Sequence, residues 1–367
     1  MSPNKTTAPT FLEFMPVSLF GAVMGLTALC FSWRLADKAW HVGGLPGEII
    51  GGAAIGTFIL LAIAYAVKWM RYPTLVKAEF ANPGTMSFFS TVTISILLIP
   101  GVLLPYAPVL AGAMWLAGVV ITLLFAVFVL RKWTQQRQTW EDVAPAWVLP
   151  VTGTLNVPIV GDSIQFRGAH EICLLFFGFG IIFIVVMLAI IFSRLLFAAT
   201  LPDAARPSLM ILVAPLALAF SGYQGMIVGQ DIAASTFFYF SLFMLLLFGS
   251  EVVLLPRCCP FKVSWWSVSF PLGAITVACF RYSQRHPGVL HLTVAGFMLS
   301  LTSLVILYLL VQSIYQIGTG RFGRPLAASP GFTTGDHNGK QILNEDQSNA
   351  DYCQRTDGRQ QGSTGNG

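Results

Sequence analysis

Charged residues in this chain come in short clusters separated by long apolar runs. No Asp, Glu, Lys or Arg occurs within 14–33, 49–67, 80–130, 143–161, 172–193, 207–230, 232–250, 263–280 or 286–320. An α-helix needs about 20 apolar residues to cross a hydrocarbon core of roughly 30 Å. Each run fits one crossing except 80–130, which fits two and divides at Pro105-Tyr106-Ala107-Pro108. Two prolines and no charge suit a tight turn there. The runs therefore predict an all-α integral membrane protein with ten transmembrane helices.

Composition narrows the class. The chain is 55% hydrophobic and 10% charged, against about 25% charged in soluble domains. A water-soluble fold has no means of burying ten uncharged helices in succession. The first run is full length, and only Lys5 precedes it as a basic residue. It therefore reads as a span, not as a cleaved signal.

Lys and Arg collect in cytoplasmic loops, so their distribution predicts orientation. One side carries thirteen: Lys5, Lys68, Arg71, Lys77, Arg131, Lys132, Arg137, Arg194, Arg206, Arg257, Lys262, Arg321 and Arg324. The other carries five: Arg34, Lys38, Arg167, Arg281 and Arg285. The bias places both termini in the cytoplasm, with the helices in a cell (plasma or inner) membrane. The organisation is then a cytoplasmic N-terminus over 1–13, a ten-helix domain over 14–320 and a tail over 321–367. The tail is rich in Gly, Asn, Gln, Ser, Thr and Asp without an apolar period, a composition that predicts disorder.

Odd- and even-numbered helices differ. Odd ones carry proline and small polar residues, as in Pro16-Val17-Ser18, Pro150-Val151-Thr152-Gly153-Thr154, Ala214-Pro215 and Ser269-Phe270-Pro271. The third adds Ser87, Ser90, Thr91, Thr93 and Ser95, then Pro100. Even ones are more uniformly greasy, such as 172–193. Proline frees a backbone carbonyl, which a membrane tolerates where the backbone faces protein or a wet cavity. The pattern predicts five helical hairpins, each with an inner, kinked, partly polar helix and an outer, lipid-facing one, around a central pore.

The spans hold no acidic or basic residue at their centres; Asp162, Asp231 and Glu251 lie at span ends. A coupled pump usually keeps such a relay. The pathway must handle its solute with hydroxyls, amides, backbone N–H groups and helix ends, which suit a weakly held anion. No GxxxxGK[ST] occurs, and His41, His170, His286, His291 and His337 are scattered. Six cysteines, including Cys258-Cys259, form no framework, and the sequon at Asn4 lies on the predicted cytoplasmic side. Neither an enzyme, a cofactor, a metal site nor a nucleic-acid partner is predicted.

Five segments resemble the tellurite-resistance and dicarboxylate transporter family, which includes plant slow anion channels. They are Pro16-x3-Phe20-Gly21-x3-Gly25, Lys77-Ala78-Glu79-Phe80-x2-Pro83, Leu149-Pro150 with Asn156, Leu212-Val213-Ala214-Pro215, and Ser264-Trp265-Trp266-Ser267-x-Ser269-Phe270. The resemblance runs from about Pro16 to Phe322. It implies five hairpins around a pore, a homotrimer with one pore per subunit, passage of small anions, and a phenylalanine plug on the ninth helix. That plug matches Phe270, and the first-helix aromatic matches Phe20. Pore candidates are thus Phe270, Phe20, Pro271, Pro215, Asn156 and Pro150. Where relatives add further aromatics, this chain reads Leu155-Asn156-Val157 and Leu216-Ala217-Leu218. The expected activity is an anion channel or channel-like permease. The alternative is a coupled secondary transporter of dicarboxylate, sulfite or tellurite-type oxyanions.

Overall fold

The computed structural model describes residues 11–202, 205–227, 232–258 and 261–319. The tail expected over 321–367, the sequon at Asn4, Asp231 and Cys259 lie outside the described residues, as do the side chains of Glu251 and Cys258.

Nine continuous helices among the described residues are long and apolar enough to cross a membrane. In chain order we call them span 1 (Val17–Trp40), span 2 (Leu45–Arg71), span 3 (Pro83–Leu103), span 4 (Pro108–Gln135), span 6 (Ala169–Phe197), span 7 (Arg206–Met226), span 8 (Ile232–Ser250), span 9 (Val263–Arg285) and span 10 (Val289–Gly318). Span 5 is the run 145–161, broken into Pro145–Val148, Leu149–Thr152, Gly153–Leu155 and Asn156–Gly161. Pro150 and Pro158 withhold backbone N–H groups within the run, and its backbone alternates between 3-10 and α turns. At 2.0 Å rise per residue in 3-10 turns and 1.5 Å in α turns, it still covers about 29 Å. Every one of its residues is buried.

The inner–outer division is plain in the packing. Spans 1, 3, 7 and 9 bury 67–83% of their apolar windows, whereas spans 2, 4, 6, 8 and 10 bury 22–33%. Outer spans present Leu60, Leu124, Ile182, Leu246 and Leu304 outward. Such a continuous apolar exterior is stable only in lipid or against another apolar surface.

The prolines act differently from the expected mid-helix kinks. Pro150 and Pro215 are second, and Pro271 third, in the α segments starting at Leu149, Ala214 and Ser269. In a first α turn the missing N–H costs little. Only Pro100 of span 3 lies inside its helix among these positions. The irregularity is instead a 3-10 segment near the start of each inner span: Val17–Phe20, Ser87–Phe89, Pro145–Val148, Arg206–Val213 and Val263–Val268.

Spans 1 and 9 form the tightest inner contact. A methyl added to Gly25 would collide with Ser269, and one added to Gly273 would lie 2.5 Å from the Ala28 Cβ. Ser269 Oγ donates to Trp266 O at 2.7 Å and reaches Gly21 O at 3.3 Å. Small residues thus let two backbones approach closely where lipid supplies no hydrophobic drive.

Candidate permeation pathway

The opening segments of the five inner spans surround one cavity of about 30 Å³, room for a water or two. Its walls come from every inner span and from no outer one. Span 1 supplies Ser18, Gly21 and Met24; span 3 supplies Phe88 and Thr91; spans 5 and 7 supply Leu149 and Ile211. Span 9 supplies Val263, Ser264, Trp266, Ser267, Phe270 and Pro271. Polar character comes from hydroxyls, with no charged side chain among the lining residues. Trp266 is fixed from behind, its Nε1 donating to Ser313 Oγ of span 10 at 3.0 Å.

The six predicted pore residues separate here. Phe270 and Pro271 line the cavity together, and Phe270 retains only 6% exposure. Phe20 does not line it. Its ring makes edge contacts with Phe58 (6.2 Å) and Tyr65 (6.3 Å) of outer span 2, inside the packing between spans 1 and 2. Pro150 and Pro215 are buried at their 3-10-to-α junctions, each next to a cavity residue or one turn beyond it. Asn156 is wholly buried, and its Nδ2 donates to Gly153 O at 2.9 Å, bracing a turn of span 5. Its Oδ1 has no partner among the described residues.

The Lys77-Ala78-Glu79-Phe80 motif has a clear local task. It lies on the short helix Pro73–Ala81 between spans 2 and 3. Glu79 Oε1 accepts from Val17 N–H at 2.7 Å, capping the first turn of span 1 from another part of the chain. Its Oε2 accepts from Lys68 Nζ at 2.9 Å and from Tyr65 Oη at 3.1 Å. Lys68 also donates to Met15 O at 2.7 Å. A half-buried carboxylate so fully bonded is a structural anchor.

At the opposite end, the inner spans terminate and their carbonyls carry partial negative charge. Arginines cover them. Arg34 of span 1 donates to Gly101 O and Val102 O of span 3 at 3.0 and 3.1 Å. It also pairs with Glu48 of span 2 at 3.0 Å, and Tyr106 Oη bonds the same carboxylate. Arg281 and Arg285 of span 9 donate to Ser221 O and Gln224 O of span 7 at 2.6 and 2.9 Å. Asp162, just past span 5, is exposed but partly desolvated by the surrounding protein. This raises its pKa, against the pull of Arg281, His170 and Arg285. These end caps escaped the sequence reading, which placed the arginines in loops.

A family profile described as "Voltage-dependent anion channel" matches residues 15–314. The S-type anion channel SLAH2 of Arabidopsis thaliana is 24% identical over 298 residues, covering 78% of this chain and 56% of the plant protein. The tellurite resistance protein TehA homolog of Haemophilus influenzae is 24% identical over 313 residues, covering 84% and 92%. The guard cell S-type anion channel SLAC1 of Arabidopsis thaliana is 22% identical over 299 residues, covering 78% and 52%. The chain thus spans about half the length of these plant relatives.

Proposed function

The chain belongs to the voltage-dependent anion channel family, and from that premise we propose that it conducts small anions along a path enclosed by inner spans 1, 3, 5, 7 and 9, closed by the ring of Phe270. The observation that carries this reading is the cavity whose walls are drawn from all five inner spans, with Phe270 on its surface. A ring across a narrow neutral passage expels water, and an anion cannot shed its hydration there without compensation. The hydroxyls of Ser18 and Ser264 and the positive ends of the inner helices offer that compensation on the near side, whereas Thr91 and Ser267 give their one proton to Phe88 O and Ser264 O. Phe20, packed on span 2, serves the wall and not the gate in this reading.

Channel-like passage is favoured over coupled transport because no Asp or Glu is among the fully buried polar side chains of the described residues. A proton-coupled cycle usually keeps such a relay. In liposomes holding the purified protein, a chloride gradient should drive electrogenic flux, and Phe270→Ala should raise it manyfold. Uptake that follows a pH gradient without any current would reject the channel.

The family likeness and the apolar exterior also support a homotrimer in the cell membrane, with both termini cytoplasmic. Native mass measurement tests the assembly. Cysteine labelling at exposed positions 135 and 167 in a cysteine-free background tests orientation. Reagent added outside cells should modify Arg167→Cys and spare Gln135→Cys.

A further inference from the structure

Between Ser269 and Arg281, span 9 carries its residual accessible surface in a stripe. Phe270, Ala274 and Val277 keep 6, 4 and 6% exposure, while Ile275, Ala278 and Phe280 keep none. The next residue on that stripe is Arg281, which is partly exposed. From Phe270 to Arg281 is 11 residues, about three helical turns with a drift of about 20°, and about 16 Å along the axis. The stripe therefore runs from the gate through two aliphatic positions to a guanidinium. Arg281 stands within span 9, one turn before its end. A charge kept inside a span needs a reason.

Its setting leaves the charge available. Among the described residues the one bond to its guanidinium is Nη1 to Ser221 O at 2.6 Å, which uses one of its five donors. Among the described residues no carboxylate comes within ion-pairing distance of it. Asp162 acts on it at longer range, as does Arg285 with the same sign as Arg281. The ends of parallel inner helices would otherwise present negative carbonyls to an anion at this mouth.

We propose that Arg281 is the anion-selecting charge of the pathway, a fixed cation beyond the gate that favours anions over cations at the far mouth. This rests on the transport reading above and names the residue that gives it ionic sign. The attraction in a partly desolvated mouth exceeds that of a loop lysine in open water.

Reversal potentials under a KCl gradient, in bilayers holding full-length Phe270→Ala protein, give the anion-to-cation permeability ratio. Adding Arg281→Gln should lower that ratio about tenfold, and adding Arg281→Lys should preserve most of it. A monodisperse, conducting Arg281→Gln protein with unchanged ratio overturns the proposal while leaving the channel intact. No anion current from parent and Phe270→Ala alike removes the channel reading and the proposal with it. Position is tested separately by Arg281→Cys in a cysteine-free background. It should react with an impermeant anionic thiol reagent from the far side, and failure to react in folded protein overturns the lumen placement.

Discussion

The two ends of the inner bundle solve opposite electrostatic problems. Odd-numbered spans in an up-and-down chain all run the same way, so their N-termini gather at one end and their C-termini at the other. At the near end, 3-10 turns and hydroxyls surround a cavity that needs no cationic side chain, because helix N-termini already favour an anion. At the far end the same dipoles oppose one. There Arg34 and Arg285 sit on terminal carbonyls of spans 3 and 7, and Arg281 bonds Ser221 O just before the last turn of span 7. A parallel ring of helices is thus polar as a whole: a carboxylate, Glu79, caps the N-terminal end of span 1, and arginines bond helix carbonyls at the opposite end.

The comparison can be broken from the near end first. Lys68→Met strands Glu79 without its partner, both side chains being 12% exposed or less. Removing one member of such a pair costs about 3–5 kcal/mol. Unfolding in detergent should show the loss, and an unchanged midpoint would mean that Glu79 does not anchor span 1. Arg34→Met at the far end should cost less, about 1–2 kcal/mol, because Glu48 is 37% exposed and water can replace the guanidinium. A cost above that of Lys68→Met would invert the two ends. Between them, Thr276 and Thr302 share a hydroxyl bond of 2.8 Å joining spans 9 and 10. Thr276→Val should cost about 0.6 kcal/mol, as membrane hydrogen bonds average, with no change in ion selectivity. A selectivity shift there would take the path off the stripe that ends at Arg281.

Much of this was legible in residues. Charge-free runs locate the spans because a bilayer penalises charge strongly, and proline and serine placement separates inner from outer helices. Segment geometry was not legible. An apolar run reads alike as α or 3-10, so the broken course of span 5 and the opening turns of its neighbours needed the backbone. The resemblance made Phe270 the plug and Phe20 a further pore candidate; their neighbours, Phe58 and Tyr65 for Phe20 and the cavity for Phe270, separate them. Arg281 read as a loop cation because counting charges by loop ignores helical phase. Its spacing of 11 from Phe270 was present throughout, and three turns on one face was the signal.

The most direct test sets these two phenylalanines against each other in the same bilayer recording. The account predicts that Phe270→Ala raises anion conductance manyfold with protein yield near that of the parent. Phe20→Ala should lose about 3–5 kcal/mol of packing, lower the yield and leave conductance per folded molecule unchanged. A well-folded Phe270→Ala protein no more conductive than the parent, beside a Phe20→Ala protein that opens, would contradict it.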